Sequence, residues 1–152
     1  MKPTLKLLAL ALVLAISSFT IYTDETPLDG SWKLRDFNYG GNKGSNPEPS
    51  NVKIFESGKF GFYLLHKNGA EKTIDGTFEV LDENYYTETI VKAVNKPMIG
   101  KTYKIKYQIV DSLLIMSGTY DSPAGKVSYS ETWIKVDPKI VASSGTKSTD
   151  LQ

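Results

Sequence analysis

The chain predicts an all-β fold: an eight-stranded antiparallel up-and-down barrel, with a β-sandwich as the alternative. Three observations carry this expectation. Apolar and polar residues alternate with period two through most of residues 28–137. Turn residues break these runs at hairpin spacing. Two segments also echo each other: Tyr86-Thr87-Glu88-Thr89-Ile90 and Tyr129-Ser130-Glu131-Thr132-Trp133. Each puts Tyr, Glu and a bulky apolar residue on one face of a strand and small hydroxyl residues on the other. Short connections favour the barrel, because a Greek-key sandwich needs some long crossings. Closure also removes unpaired sheet edges.

Residues 1–17 read as a signal peptide. Lys2 and Lys6 give a basic start, and Leu7 to Ile16 is an apolar run too short to span a bilayer comfortably. Ala15 and Ser17 place cleavage near Ser17, so the expected location is secreted or periplasmic, with no stable membrane insertion after cleavage. Residues 18–27 form a linker, and Pro27 with Asp29-Gly30 marks entry to the domain over 28–137.

The first expected strand spans Ser31 to Tyr39, and the polar stretch Gly40 to Ser50 is the longest loop. Val52–Phe55 and Phe60–Leu65 follow, joined at Ser57-Gly58. Asn68-Gly69 signals a hairpin through residues that tolerate positive φ. The remaining strands are Thr73–Val80, Tyr85–Val94, Thr102–Val110, Leu113–Tyr120 and Val127–Val136. Their connections are Asp82-Glu83-Asn84, Asn95 to Gly100, Asp111-Ser112 and Ser122 to Gly125. The tail, 138–152, is rich in Ser, Thr and Lys and lacks aromatics, so disorder is expected there.

Composition excludes several functions. The chain has 152 residues, enough for one core, and no cysteine. Acyl anchoring through cysteine, disulfides, thiolate metal sites and cysteine nucleophiles are therefore ruled out. Without Lys2 and Lys6, 16 basic residues face 17 acidic ones, a net of −1. That balance does not support nucleic-acid binding. His66 is the single histidine and precedes a hairpin tip, where a polar surface role is expected. No nucleophile elbow, EF-hand loop or phosphate-binding glycine motif is present, and neither metal nor cofactor is expected.

Parity assigns side chains to the lumen. Tyr103, Ile105, Tyr107 and Ile109 face inward, opposite Lys104, Lys106 and Gln108. Ile74, Gly76, Phe78 and Val80 oppose Asp75, Thr77 and Glu79. Val52 and Ile54 oppose Lys53 and are read as inward, as are Phe60, Phe62 and Leu64. Leu114-Met116-Gly118 competes with Leu113-Ile115-Ser117. Trp32 and Leu34 share a direction, and Phe37 breaks their phase, as a bulge near Asp36 would. Trp133 fits either the lumen or an outer rim. An eight-stranded barrel is either filled by its side chains or holds one small ligand.

The first-strand tripeptide Gly30-Ser31-Trp32 resembles the Gly-x-Trp signature of lipocalins. The stretches Lys53 to Phe60, Gly76 to Val80, Tyr86 to Ile90 and Glu131 to Lys135 are similar to small secreted bacterial lipocalin-like domains of unknown function. The resemblance covers about residues 28–137 and implies a calycin-type barrel that holds a small hydrophobic molecule. It implies a barrel-closing role for Trp32. It also places Lys135 where lipocalins carry an arginine over that tryptophan.

The expected function is non-enzymatic: an apolar or amphipathic small molecule held in the lumen. The candidate ligand-binding residues are Phe62, Phe78, Tyr86, Glu88, Tyr103, Tyr107, Met116, Tyr129 and Glu131. Three roles stay open for Glu88 and Glu131: a structural hydrogen bond, an outward solvated carboxylate, or a ligand contact. A protein-interaction or inhibitor module using the rim loops Gly40–Ser50 and Asn95–Gly100 is the alternative. A hydrolase reading rests on the two glutamates alone, and glycoside hydrolysis needs a defined carboxylate spacing that separate strands do not fix.

Overall fold

The computed structural model describes residues 25–143 and 146–147. The expected signal peptide and residues 18–24 of the expected linker lie outside the described residues. The described residues form ten strands: β1 (Gly30–Tyr39), β2 (Asn42–Ser45), β3 (Ser50–Glu56), β4 (Lys59–His66), β5 (Gly69–Val80), β6 (Tyr85–Ala93), β7 (Thr102–Val110), β8 (Leu113–Ser122), β9 (Gly125–Val136) and β10 (Thr146–Lys147). A 3-10 turn spans Lys96–Met98, and a short helix, α1, spans Lys139–Ser143.

Eight of the strands close into an antiparallel barrel in the order β5-β4-β3-β1-β9-β8-β7-β6, with β6 returning to β5. Closure excludes the sandwich. The connection expected as an irregular loop over 40–50 contains β2, which pairs with the end of β1. The tight turns follow their residues. Ser57 and Gly58 both take positive φ (50° and 75°), which matches the right-handed twist of the strands they join. Asp111 does the same at 54° before Leu113 pairs with Val110. The Asn68-Gly69 expectation is displaced by one residue. His66 pairs with Gly69, so the two-residue loop is Lys67-Asn68 and Gly69 opens β5.

The bulge in β1 falls between Leu34 and Asp36. It re-phases the strand, so Trp32 and Leu34 before it and Phe37 after it all pack with the lumen core. On β8, Leu114 and Met116 face inward and Ile115 outward. On β7 the expected alternation holds, with Ile105 and Tyr107 buried.

β3 corrects the parity reading. Lys53 and Phe55 point into the barrel, while Val52 and Ile54 pack in a second apolar cluster. That cluster joins Val52, Ala70 and Val141 with Ile54, Tyr63, Leu65 and Ile140. The expectation of a disordered tail therefore fails over Lys139–Ser143. Ile140 and Val141 give α1 an apolar side, and it covers the strip that β3, β4 and β5 would otherwise expose. Burying a valine-sized side chain contributes about 1.5–3 kcal/mol, enough to hold a one-turn helix that would not form alone.

Candidate functional site

The up-and-down path sends alternate connections to opposite ends. The turns at 57–58, 81–84 and 111–112 lie at one end, together with the entry segment. The longer connections at 40–49 and 94–101 lie at the other, with the hairpins at 67–68 and 123–124.

Side chains fill the tight-turn end. Trp32 is 1% exposed, and its indole N–H donates to the Leu28 carbonyl at 2.8 Å. Lys135 Nζ lies 5.4 Å from the Trp32 ring centroid, so a lysine covers the ring by cation–π contact. Phe78 meets the Phe55 ring edge-on at 4.9 Å, and Tyr107 meets Tyr86 at 5.6 Å. The Tyr107 hydroxyl donates to the Asp82 carbonyl at 3.2 Å, in a turn of this end. Among the predicted ligand contacts, Phe78 and Tyr107 are thus packed wall.

A polar layer crosses the barrel above this core. Lys53 Nζ sits 2.7 Å from Glu88 Oε1, and both side chains are buried. The Tyr86 hydroxyl donates to the same oxygen at 2.8 Å and lies 2.9 Å from Met116 Sδ. Lys53 Nζ is also 5.6–5.7 Å from the ring centroids of Phe55, Phe60 and Trp133. An ammonium and a phenol answer the buried carboxylate, which makes its desolvation tolerable. Burial, then the charge of Glu88 and its hydrogen bond, push the Tyr86 phenol well above its ordinary value. Lys53 is the residue that sequence reading missed. Its available signal was Phe55, which lies two positions on and shares its face.

Towards the long-loop end lies a group of half-buried inward side chains. Phe62 contacts Trp133 edge-on at 6.1 Å, and Tyr103 packs against the core from β7. Glu131 accepts from the Tyr39 hydroxyl at 2.5 Å through Oε1 and from the Trp133 indole N–H at 2.9 Å through Oε2. Trp133 is thereby assigned to the lumen, where it is fully buried. The rings of Tyr39 and Tyr129 lie 6.3 Å apart, and those of Tyr120 and Tyr129 6.4 Å apart. Gly118 makes room for this group, since a Cβ there would come 2.9 Å from the Tyr129 ring. Burial, followed by the charge of Glu131, pushes the Tyr39 phenol well up. Tyr129 is raised by burial and then by Glu131 and Glu88.

The two echoed strands therefore behave alike in direction and differently in bonding. Glu88 and Glu131 both turn inward, which removes the outward-solvated reading. Tyr86 bonds its own strand's glutamate, whereas Tyr129 leaves that role to Tyr39 and Trp133. Among the described residues, no group of three or more His, Asp or Glu side chains is placed to hold a metal. His66 sits 3.5 Å from Glu71 at the surface, away from both lumen carboxylates. Among the described residues, no helix is long and apolar enough to cross a membrane.

Residues 27–143 match the family described as "Domain of unknown function (DUF4488)". No match to a curated protein was found. Two solved structures share the fold. A lipocalin-like protein from Bacteroides uniformis superposes with a TM-score of 0.51 at 19% identity, covering 72% of this chain and 98% of that one. An uncharacterized protein from Bacteroides eggerthii gives 0.50 at 16% identity, covering 72% and 99%.

Proposed function

The chain belongs to the DUF4488 family of lipocalin-like barrels, and from that premise we propose that it is an exported, non-enzymatic binding protein for a small amphipathic molecule. One observation carries this reading: a group of inward side chains towards the long-loop end is only half-buried beside a sealed core. Trp32, Leu34, Phe55, Tyr86 and Leu114 are sealed, whereas Phe62, Tyr103, Tyr129 and Glu131 keep partial exposure. The Lys53–Glu88 layer forms the floor between the two halves. A ligand enters between the long loops and rests on that floor. Its apolar body lies against Phe62 and Tyr103, and its polar end meets Glu131.

The bonding of the two lumen carboxylates supports the same reading. Glu88 is tied to Lys53 and Tyr86, and Glu131 to Tyr39 and Trp133. Neither carboxylate is paired with a nucleophile or positioned beside a second free acid.

The test is titration of the mature domain with dodecanol, followed through tryptophan emission and native mass spectrometry. Trp133 lies beside the proposed site, so saturable quenching or a blue shift with a one-to-one adduct is expected. Absence of both an adduct and a spectral change, for this and for a mixed lipid extract, overturns the reading.

A further inference from the structure

Resting on the reading of the barrel as a binding protein, we infer that the mouth selects a cationic headgroup, an alkylammonium carried by an amphiphile. Two independent features meet there. The first is an uncompensated carboxylate. Lys53 and Glu88 cancel one another at 2.7 Å. Glu131 is held by two neutral donors, the Tyr39 phenol and the Trp133 indole. Among the described residues no cationic side chain forms an ion pair with it. The inner layer of Lys53, Glu88 and Glu131 thus carries one net negative charge in a partly desolvated space, where Coulomb attraction is strengthened.

The second feature is aromatic. Tyr39, Tyr129 and Tyr120 line one side of the mouth from β1, β9 and β8. Adjacent rings are tilted by 41° and 46°, so they wall an arc instead of stacking face to face. Tyr120 is 38% exposed and opens the arc to solvent. Ring faces attract cations, and a carboxylate beside several of them adds direct charge attraction. The raised phenol pKa values of Tyr39 and Tyr129 keep those rings neutral at physiological pH.

Three of the neighbouring lysines are engaged elsewhere. Lys72 is engaged with Asp75 and lies over Tyr63, in the outer cluster. Lys126 pairs with Asp121 at the exposed β8–β9 turn. Lys104 lies over Tyr85, on the solvent side of β7. An anionic headgroup would meet the Glu131 carboxylate, whose charge no ion pair offsets among the described residues. A neutral hydroxyl would gain only a hydrogen bond.

Three dodecyl probes with the same tail decide the matter: dodecyltrimethylammonium, dodecanol and dodecanoate, each below its aggregation threshold. Calorimetry on the mature domain should show the cation binding about tenfold tighter than the alcohol, with the carboxylate weakest. Glu131→Gln keeps one acceptor oxygen for the Trp133 indole N–H, and its amide N–H can donate to the Tyr39 hydroxyl, so the variant removes the charge and should bring cation and alcohol within about threefold of each other. Should that variant fail to fold by near-ultraviolet circular dichroism, Tyr129→Leu serves in its place and should reduce the preference at least about threefold. If the alcohol binds and the cation binds no tighter, the headgroup assignment is overturned while the binding-protein reading stands. If none of the three binds, the headgroup assignment falls, and the binding-protein reading falls with it when the mixed lipid extract also leaves the protein unliganded.

Discussion

Lys53 on β3 and Glu88 on β6 meet inside the barrel across two intervening strands, Nζ to Oε1 at 2.7 Å, with both side chains buried. A buried pair of this kind is weak evidence for stability, yet breaking one half is costly. It fixes where the packed core ends and the partly open half begins.

Removing Lys53 alone should therefore be severe. Lys53→Met is expected to lower unfolding stability by about 3–5 kcal/mol, because Glu88 remains desolvated without its ammonium. The double variant Lys53→Met/Glu88→Leu should recover most of that loss. Urea denaturation of the four proteins in the cycle measures both; a double variant as unstable as the single would show that the pair itself carries the energy.

Alkaline pH should unfold the barrel. Tyr39, Tyr86 and Tyr129 have folded-state pKa values above the ordinary value of 10.0, chiefly through burial and then through the glutamate charges. A group raised in the folded state contributes full stability below its unfolded pKa and loses it as pH rises beyond that value. Stability should thus be flat up to about pH 9–10 and fall above it. Ultraviolet titration of phenolate should show these tyrosines ionising only together with loss of the fold. Tyr129→Phe should make the decline shallower.

The Lys135–Trp32 contact predicts a graded series. Lys135→Ala should cost about 0.5–1 kcal/mol, and Lys135→Arg should be neutral or slightly stabilising. Trp32→Ala, which also removes the indole bond to Leu28, should cost about 3–5 kcal/mol. Thermal unfolding of the three variants gives the order directly.

The helix α1 supplies a separable prediction. Truncation after Asp137 should expose Val52, Ile54 and Leu65 and lower stability by about 1.5–3 kcal/mol. Probe binding at the mouth should be unchanged, since the contacts of α1 lie on the outer face. Val141→Asp should reproduce the loss of stability within the full chain.

The sequence by itself determined the all-β class, the strand count of the barrel, most turns and the bulge in β1. Period-two alternation and turn residues are local signals, and each is readable within about ten residues. It also determined that Tyr86, Glu88 and Ile90 share one face, as do Tyr129, Glu131 and Trp133. Only the tertiary structure decided which way β3 turns. A Val-Lys-Ile run places its lysine outside unless a partner waits inside and an apolar cover lies outside. Here the partner is Glu88, 35 residues away, and the cover is Ile140 and Val141 from a tail that reads as polar. Glu131 tells the same story through Tyr39, which lies 92 residues away. Closing the barrel brings such groups together, and pairing at that range leaves no mark on the local pattern of either strand.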